Sequence, residues 1–179
     1  MLALAASCEE PSFPAEIAVV ISPKEDTPAV EGARDQGLNV AIVDPLSSTD
    51  YGKDLIEALD QNGVEWICLA GYLRLLPTEV LTRYSERILN IHPALLPKFG
   101  GKGMYGMRVH EAVLAAGEKE SGCTVHLVTE NYDEGPVILQ KQCPVEPGDM
   151  PETLALRVLK LEHQAFSEAL KKVIEGTSK

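Results

Sequence analysis

The stretch Arg87-Ile88-Leu89-Asn90-Ile91-His92-Pro93-Ala94-Leu95-Leu96-Pro97 decides the reading of this chain. Ile88 to Ile91 are aliphatic or β-branched apart from Asn90, and predict a short buried strand. Side chains two apart on a strand point to the same face, so Asn90 and His92 project side by side. Pro93 disfavours the helical region for His92 and cannot donate to a sheet ladder, so the strand ends there. An amide donor beside an imidazole, at the mouth of a strand, suits chemistry on a carbonyl. The amide can hold a developing oxyanion while the imidazole moves protons near neutral pH. Alternatively, the two are a polar pair that caps a loop.

Outward from this run, strand-like segments recur at Ile17–Ile21, Val40–Val43, Trp66–Leu69, Thr124–Val128 and Val137–Val145. Helical patterns lie between most of them, at 29–36, 50–61, 78–84 and 108–117. The alternation predicts an α/β fold: an open, mostly parallel, doubly wound (Rossmann-like) sheet with helices on both faces. In such sheets ligands bind beyond the carboxyl ends of the strands, where Asn90 and His92 fall. A long last helix is predicted from Pro151, capped by Asp149 or a neighbour, to about Glu175, with residues 176–179 fraying. Ala155, Leu159, Glu162 and Phe166 share one stripe of it, so Glu162 is a carboxylate on an apolar face or at its edge. The whole chain, residues 1–179, is read as a single domain.

Composition removes several function classes. Of 179 residues, 45% are hydrophobic and 24% charged, as in an ordinary globular protein. The net charge of −11 argues against an extended nucleic-acid surface, which needs clustered Lys and Arg. A small anion needs only a local cluster, which Lys98, Lys102 and Arg108 can supply. No apolar run approaches the roughly 20 residues that span a bilayer, so no membrane partner is expected. Residues 2–6 lack the basic flank of a signal peptide, and the expected location is the cytoplasm. Cys8, Cys68, Cys123 and Cys143 are scattered, which fits small hydrophobes in a reducing compartment and no metal site.

Thr124 and His126 alternate on one strand, and His126 is either a partner of the site or a satisfied core histidine. Asn131-Tyr132-Asp133-Glu134-Gly135-Pro136 is a turn by composition. If it folds over the end of the Asn90/His92 strand, one of its acids can orient the imidazole. Gly100-Gly101-Lys102-Gly103 invites a phosphate-loop reading and fails it, because no Ser or Thr follows Lys102 and no strand leads into it. Residues 100–106 are read instead as a mobile loop beside the site. His110 and His163 sit on helical patterns and receive no role.

Asn90 to Pro97, then Gly122-Cys123-Thr124-Val125-His126, then Asp133-Glu134-Gly135-Pro136-Val137-Ile138, resemble the folate-dependent formyltransferases. The similarity runs from about Ile17 to the last helix. It includes Leu69-Ala70-Gly71-Tyr72-Leu73-Arg74-Leu75-Leu76, which looks like that family's folate-lining segment. The resemblance implies transfer of a formyl group from 10-formyltetrahydrofolate to the amine of glycinamide ribonucleotide, in purine biosynthesis. By motif match, Asn90 would hold the formyl oxygen, His92 would act as general acid/base, and Asp133 would orient it or relay protons. Arg74, Leu75, Leu76, Tyr132 and Asp133 would line the folate site, and Glu162 would hold the substrate amine. A preorganised donor at the formyl oxygen is worth roughly 3–4 kcal/mol. The implied partners are the two small molecules; a homodimer is allowed, the oligomeric state being open.

In one respect the chain departs from that pattern. The family opens with a strand and a Gly-Ser-Asn-type loop that holds the ribonucleotide phosphate, whereas Met1-Leu2-Ala3-Leu4-Ala5-Ala6-Ser7-Cys8 resembles the helix after that loop. The expectation is a sheet lacking its first strand, with the folate half of the site kept and the phosphate half impaired. Two alternatives follow: a formyltetrahydrofolate hydrolase-like enzyme, or a catalytically impaired folate-binding remnant. Methionyl-tRNA formyltransferases share the Asn-x-His pattern, but the acidity of this chain is wrong for tRNA.

Overall fold

The computed structural model describes residues 1–177, of which Thr177 in backbone only. Helices and strands alternate as α1 (Leu2–Cys8), β1 (Val20–Ser22), α2 (Pro28–Asp35), β2 (Val40–Ile42), α3 (Tyr51–Gln61), β3 (Ile67–Leu69), α4 (Thr78–Arg83), β4 (Ile88–His92) and α5 (Met107–Ala115), followed by β5 (Glu120–Leu127), β6 (Val137–Pro144) and α6 (Pro151–Thr177). This is the expected α/β class. The strands form two hydrogen-bonded ladders, β1-β2 and β3-β4-β5-β6, where the sequence predicts one open sheet. The chain gathers into two compact units: Met1–Ile67 with Leu76–Arg87, and Cys68–Leu75 with the chain from Ile88 onward.

In the first unit β1 and β2 run parallel, Val20 opposite Val40 and Ser22 opposite Ile42. The helix that links them starts where Thr27 accepts the Val30 amide on its hydroxyl and Pro28 presets φ for the first turn. It buries Val30 and Ala33. Asp50 caps α3 in the same way, accepting from the Lys53 amide, and that helix buries Leu55 and Leu59. β1 starts later than the Ile17–Ile21 run predicts, and β2 and β3 are only half-buried rather than covered throughout.

The second unit carries Asn90, His92, Asp133 and Glu162. β4 and β5 pair antiparallel, and so do β5 and β6. The connection from β5 to β6 is a turn with no helix, too short for the crossover that parallel pairing requires. β5 also begins four residues before the expected Thr124, at Glu120. Gly122 and Gly135 mark close approaches: a Cβ at the first would collide with the Lys141 carbonyl, at the second with the Leu127 carbonyl. α6 packs on β5 and β6. Its buried face is Leu154, Val158, Ala165, Phe166, Ala169 and Leu170; of the predicted stripe only Phe166 belongs to it, Leu159 being exposed and Ala155 and Glu162 half-buried. Asp149 does not take a helix amide of the first turn; its carboxylate grips Arg157 through two hydrogen bonds and accepts from Thr153 Oγ1 and the Glu146 amide. Of the tail expected to fray, Gly176 is still helical, and Ser178 and Lys179 lie outside the described residues.

Candidate active site

β4 delivers the Asn90/His92 pair as its alternation dictates. Asn90 stands opposite His126 and His92 opposite Thr124 in the β4/β5 ladder, so all four share one face of the sheet. His92 is buried and Asn90 half-exposed.

The loop after β4 is tied down by one hydroxyl. Thr124 Oγ1 donates to the Ala94 carbonyl (2.6 Å) and accepts from the Leu96 amide (3.0 Å) and from Gln140 Nε2 (2.9 Å). That uses the full capacity of a hydroxyl, one donor and two acceptor sites. Gln140 also donates to the Leu96 carbonyl. The Leu96–Pro97 peptide is cis.

The pinned loop brings its main chain onto the histidine. His92 Nε2 lies 2.8 Å from the Phe99 carbonyl oxygen. A carbonyl only accepts, so Nε2 carries the proton and Nδ1 is left facing Asp133 Oδ2 at 3.5 Å. Asp133 Oδ2 also accepts the Gly101 amide at 2.8 Å. Phe99 and Asp133 both hold φ at 57°, a strained value for residues with side chains.

The electrostatics are divided. Burial pushes His92 below the ordinary histidine range, and the nearby Asp133 carboxylate works against that. Burial raises Asp133, but the His126 ring, the Gly101 amide and His92 more than offset it, leaving its carboxyl below the usual range. His126 is buried; its Nε2 is 3.1 Å from Asn90 Nδ2 and its Nδ1 is 2.9 Å from the Leu127 carbonyl.

The structure thus joins Asn90, His92 and Asp133, three of the residues singled out from sequence, and adds His126. Glu162 stands apart from this hydrogen-bonded group. It is half-buried on α6, burial raises its carboxyl above the usual range, and its charge adds to the burial that pushes the Cys123 thiol up to about 12. Arg74 and Leu75 lie exposed after β3, Tyr132 is half-buried beside Asp133, and Leu76 is buried in the first unit. None of these four is hydrogen-bonded into the His92 cluster. Sequence reasoning missed the Phe99 carbonyl and the Gly101 amide, because main-chain groups leave no residue-type signal. It also passed over His110, which is buried on α5 and held below the usual range first by burial and then by the charge of His92.

Residues 1–170 match the sequence pattern of the formyl transferase family. The chain belongs to that family. It is 40% identical over 173 residues to a chloroplastic phosphoribosylglycinamide formyltransferase of Arabidopsis thaliana, covering 94% of this chain and 59% of the relative. It is 39% identical over 177 residues to the trifunctional purine biosynthetic protein adenosine-3 of Gallus gallus, covering 97% of this chain and 17% of that protein. The chain therefore spans well under two thirds of either relative's length. A solved structure, glycinamide ribonucleotide transformylase 1 of Symbiobacterium toebii, superposes with a TM-score of 0.89 at 42% identity, covering 97% of this chain and 81% of that one. The Rossmann-like α/β fold is shared with it.

Proposed function

We propose that this chain transfers a formyl group from 10-formyltetrahydrofolate to the amine of glycinamide ribonucleotide, a step of purine biosynthesis. The observation that carries the reading is His92, buried at the carboxyl end of β4, with Nδ1 turned to Asp133 and Asn90 beside it on the same face. The names of the relatives supply the ribonucleotide acceptor and the family membership the folate donor.

The folate supplies the formyl group. Asn90 offers an amide N–H to the formyl oxygen as negative charge gathers there, a contact worth roughly 3–4 kcal/mol in a water-excluded site. His92 takes a proton from the attacking amine at Nδ1, since Nε2 is committed to Phe99, and returns it to the folate nitrogen as that nitrogen's bond to the formyl carbon breaks. Asp133, held by the Gly101 amide, stabilises the resulting imidazolium and fixes its ring. Glu162 attracts the amine as an ammonium before attack. Arg74, Leu75 and Tyr132 line the folate, with Leu73 and Leu75 offering exposed apolar side chains to its ring. Both partners are small molecules. Among the described residues no helix is long and apolar enough to cross a membrane and no cysteine is in a disulfide; a reducing cytoplasm is the compartment we assign.

The test is formyl transfer from 10-formyltetrahydrofolate with and without glycinamide ribonucleotide. Product that appears only with the ribonucleotide supports the reading. Formyl loss to water without any acceptor makes the chain a hydrolase, and folate binding without turnover makes it a remnant.

A further inference from the structure

Deepening that reading, and resting on it for the role of Asn90, we propose that His126 is a positioning residue whose tautomer fixes which way the Asn90 amide points.

The chain of reasoning starts at a carbonyl. The Leu127 oxygen accepts from His126 Nδ1 at 2.9 Å, so Nδ1 bears the proton. In the neutral ring Nε2 is then a bare lone pair. Asn90 lies 3.1 Å from it and must present its NH2, not its oxygen. One amide N–H is engaged with the ring, and the second is left for a substrate oxygen. Asp133 Oδ1, 3.5 Å from the same Nε2, would draw a proton onto it, so the nearer Asn90 amide and the Leu127 carbonyl hold the tautomer against that carboxylate. With a proton on Nε2 the amide would turn over, setting its oxygen where its nitrogen now stands and meeting a developing oxyanion with an acceptor.

Two further features are built around this contact. The β5/β6 register slips between Val125 and His126, Val125 pairing with Leu139 but His126 with Val137, so Ile138 is the extra residue of a bulge at the histidine. Bulges re-aim side chains and recur beside active sites. The Leu127 carbonyl reaches His126 past Gly135, where any Cβ would strike that oxygen. Gly135 therefore keeps the tautomer-setting acceptor in place.

The first experiment reads the ring nitrogens of His126 by 15N NMR in the unmodified chain near neutral pH. Nδ1 protonated and Nε2 bare is the expected result; a proton on Nε2 overturns the assignment. The second compares His126→Gln with His126→Leu in formyl transfer. Glutamine can place an oxygen acceptor near the Nε2 position and leucine cannot. His126→Leu is expected to lose about 10²-fold in kcat with little change in KM for folate, the loss typical of one oxyanion donor, and His126→Gln to recover most of it. Equal loss in the two folded variants overturns the proposal. If His126→Leu does not fold, the spectrum and His126→Gln against the unmodified chain decide, a 10²-fold loss in the glutamine variant being the adverse outcome. An unmodified chain without acceptor-dependent transfer sinks the functional reading instead, and the spectrum still settles the tautomer.

Discussion

His92 donates Nε2–H to the Phe99 carbonyl across 2.8 Å, which leaves Nδ1, turned to Asp133, as the nitrogen that can exchange protons. The main chain of the loop after β4 thus sets which side of the ring carries its proton.

Asp133→Asn keeps an oxygen for the Gly101 amide but removes the charge facing His92. That charge raises the His92 pKa against the effect of burial, so its loss lowers it further. The expected outcome is a fall in kcat of roughly 10²-fold, with the acid limb of the kcat profile displaced to lower pH. An unmoved acid limb in the pH–rate profile counts against the pairing.

Thr124→Val is nearly isosteric and strips three hydrogen bonds from a fully buried position, leaving the Leu96 amide and the Ala94 carbonyl without that partner. Unsatisfied buried groups cost on the order of 1–3 kcal/mol each. Thermal unfolding should come down by roughly 5–10 °C. A loss confined to activity, with Tm unchanged, would mean that the loop is held by something else.

His92 and His110 both lie below the ordinary histidine range because burial disfavours their charged forms. The unfolded chain then binds more protons than the folded one once pH drops toward the usual value of about 6.5. Stability is therefore full above that value and is lost as pH falls through it. Calorimetry of the Glu162→Gln variant, which lacks the opposing carboxyl, should show a falling Tm from pH 7.5 down to 5.5; a flat or rising curve would contradict the burial of these two rings.

Glu162 has the opposite sign. Burial raises its carboxyl, so stability is full below its ordinary range and is reduced as pH climbs past the folded value. Glu162→Gln should raise Tm by about 1–3 °C at pH 7.5, with the gain shrinking on acidification, so that the variant shows a steeper acid decline than the unmodified chain. The same variant should raise KM for the ribonucleotide and leave KM for folate alone. Steady-state kinetics with each substrate varied in turn checks both halves.

Much of this was legible in the residues themselves. Ile88–Ile91 closed by Pro93 announced a strand, and its period of two put Asn90 and His92 together, where they are found. The 108–117 and 50–61 patterns became α5 and α3 within two residues at each end. Strand pairing was less legible. Short apolar runs read alike in parallel and antiparallel sheets, so the antiparallel β5 and β6 had no distinguishing pattern. The face of α6 differs from the predicted one because Leu159 is apolar yet exposed, and periodicity assumes that apolar residues are inside. His126 was left between two readings, since a buried polar residue shows its partners only once its strand neighbours are known.

Position 99 contributes an oxygen that every amino acid possesses, and position 135 contributes the lack of any side chain. Variation at 99 is thus nearly invisible to the proton that His92 exchanges, provided the new residue tolerates φ near 57°. At 135 even a methyl group reaches the Leu127 carbonyl. A substitution at the first leaves the contact to His92 in place, while one at the second must displace a strand carbonyl.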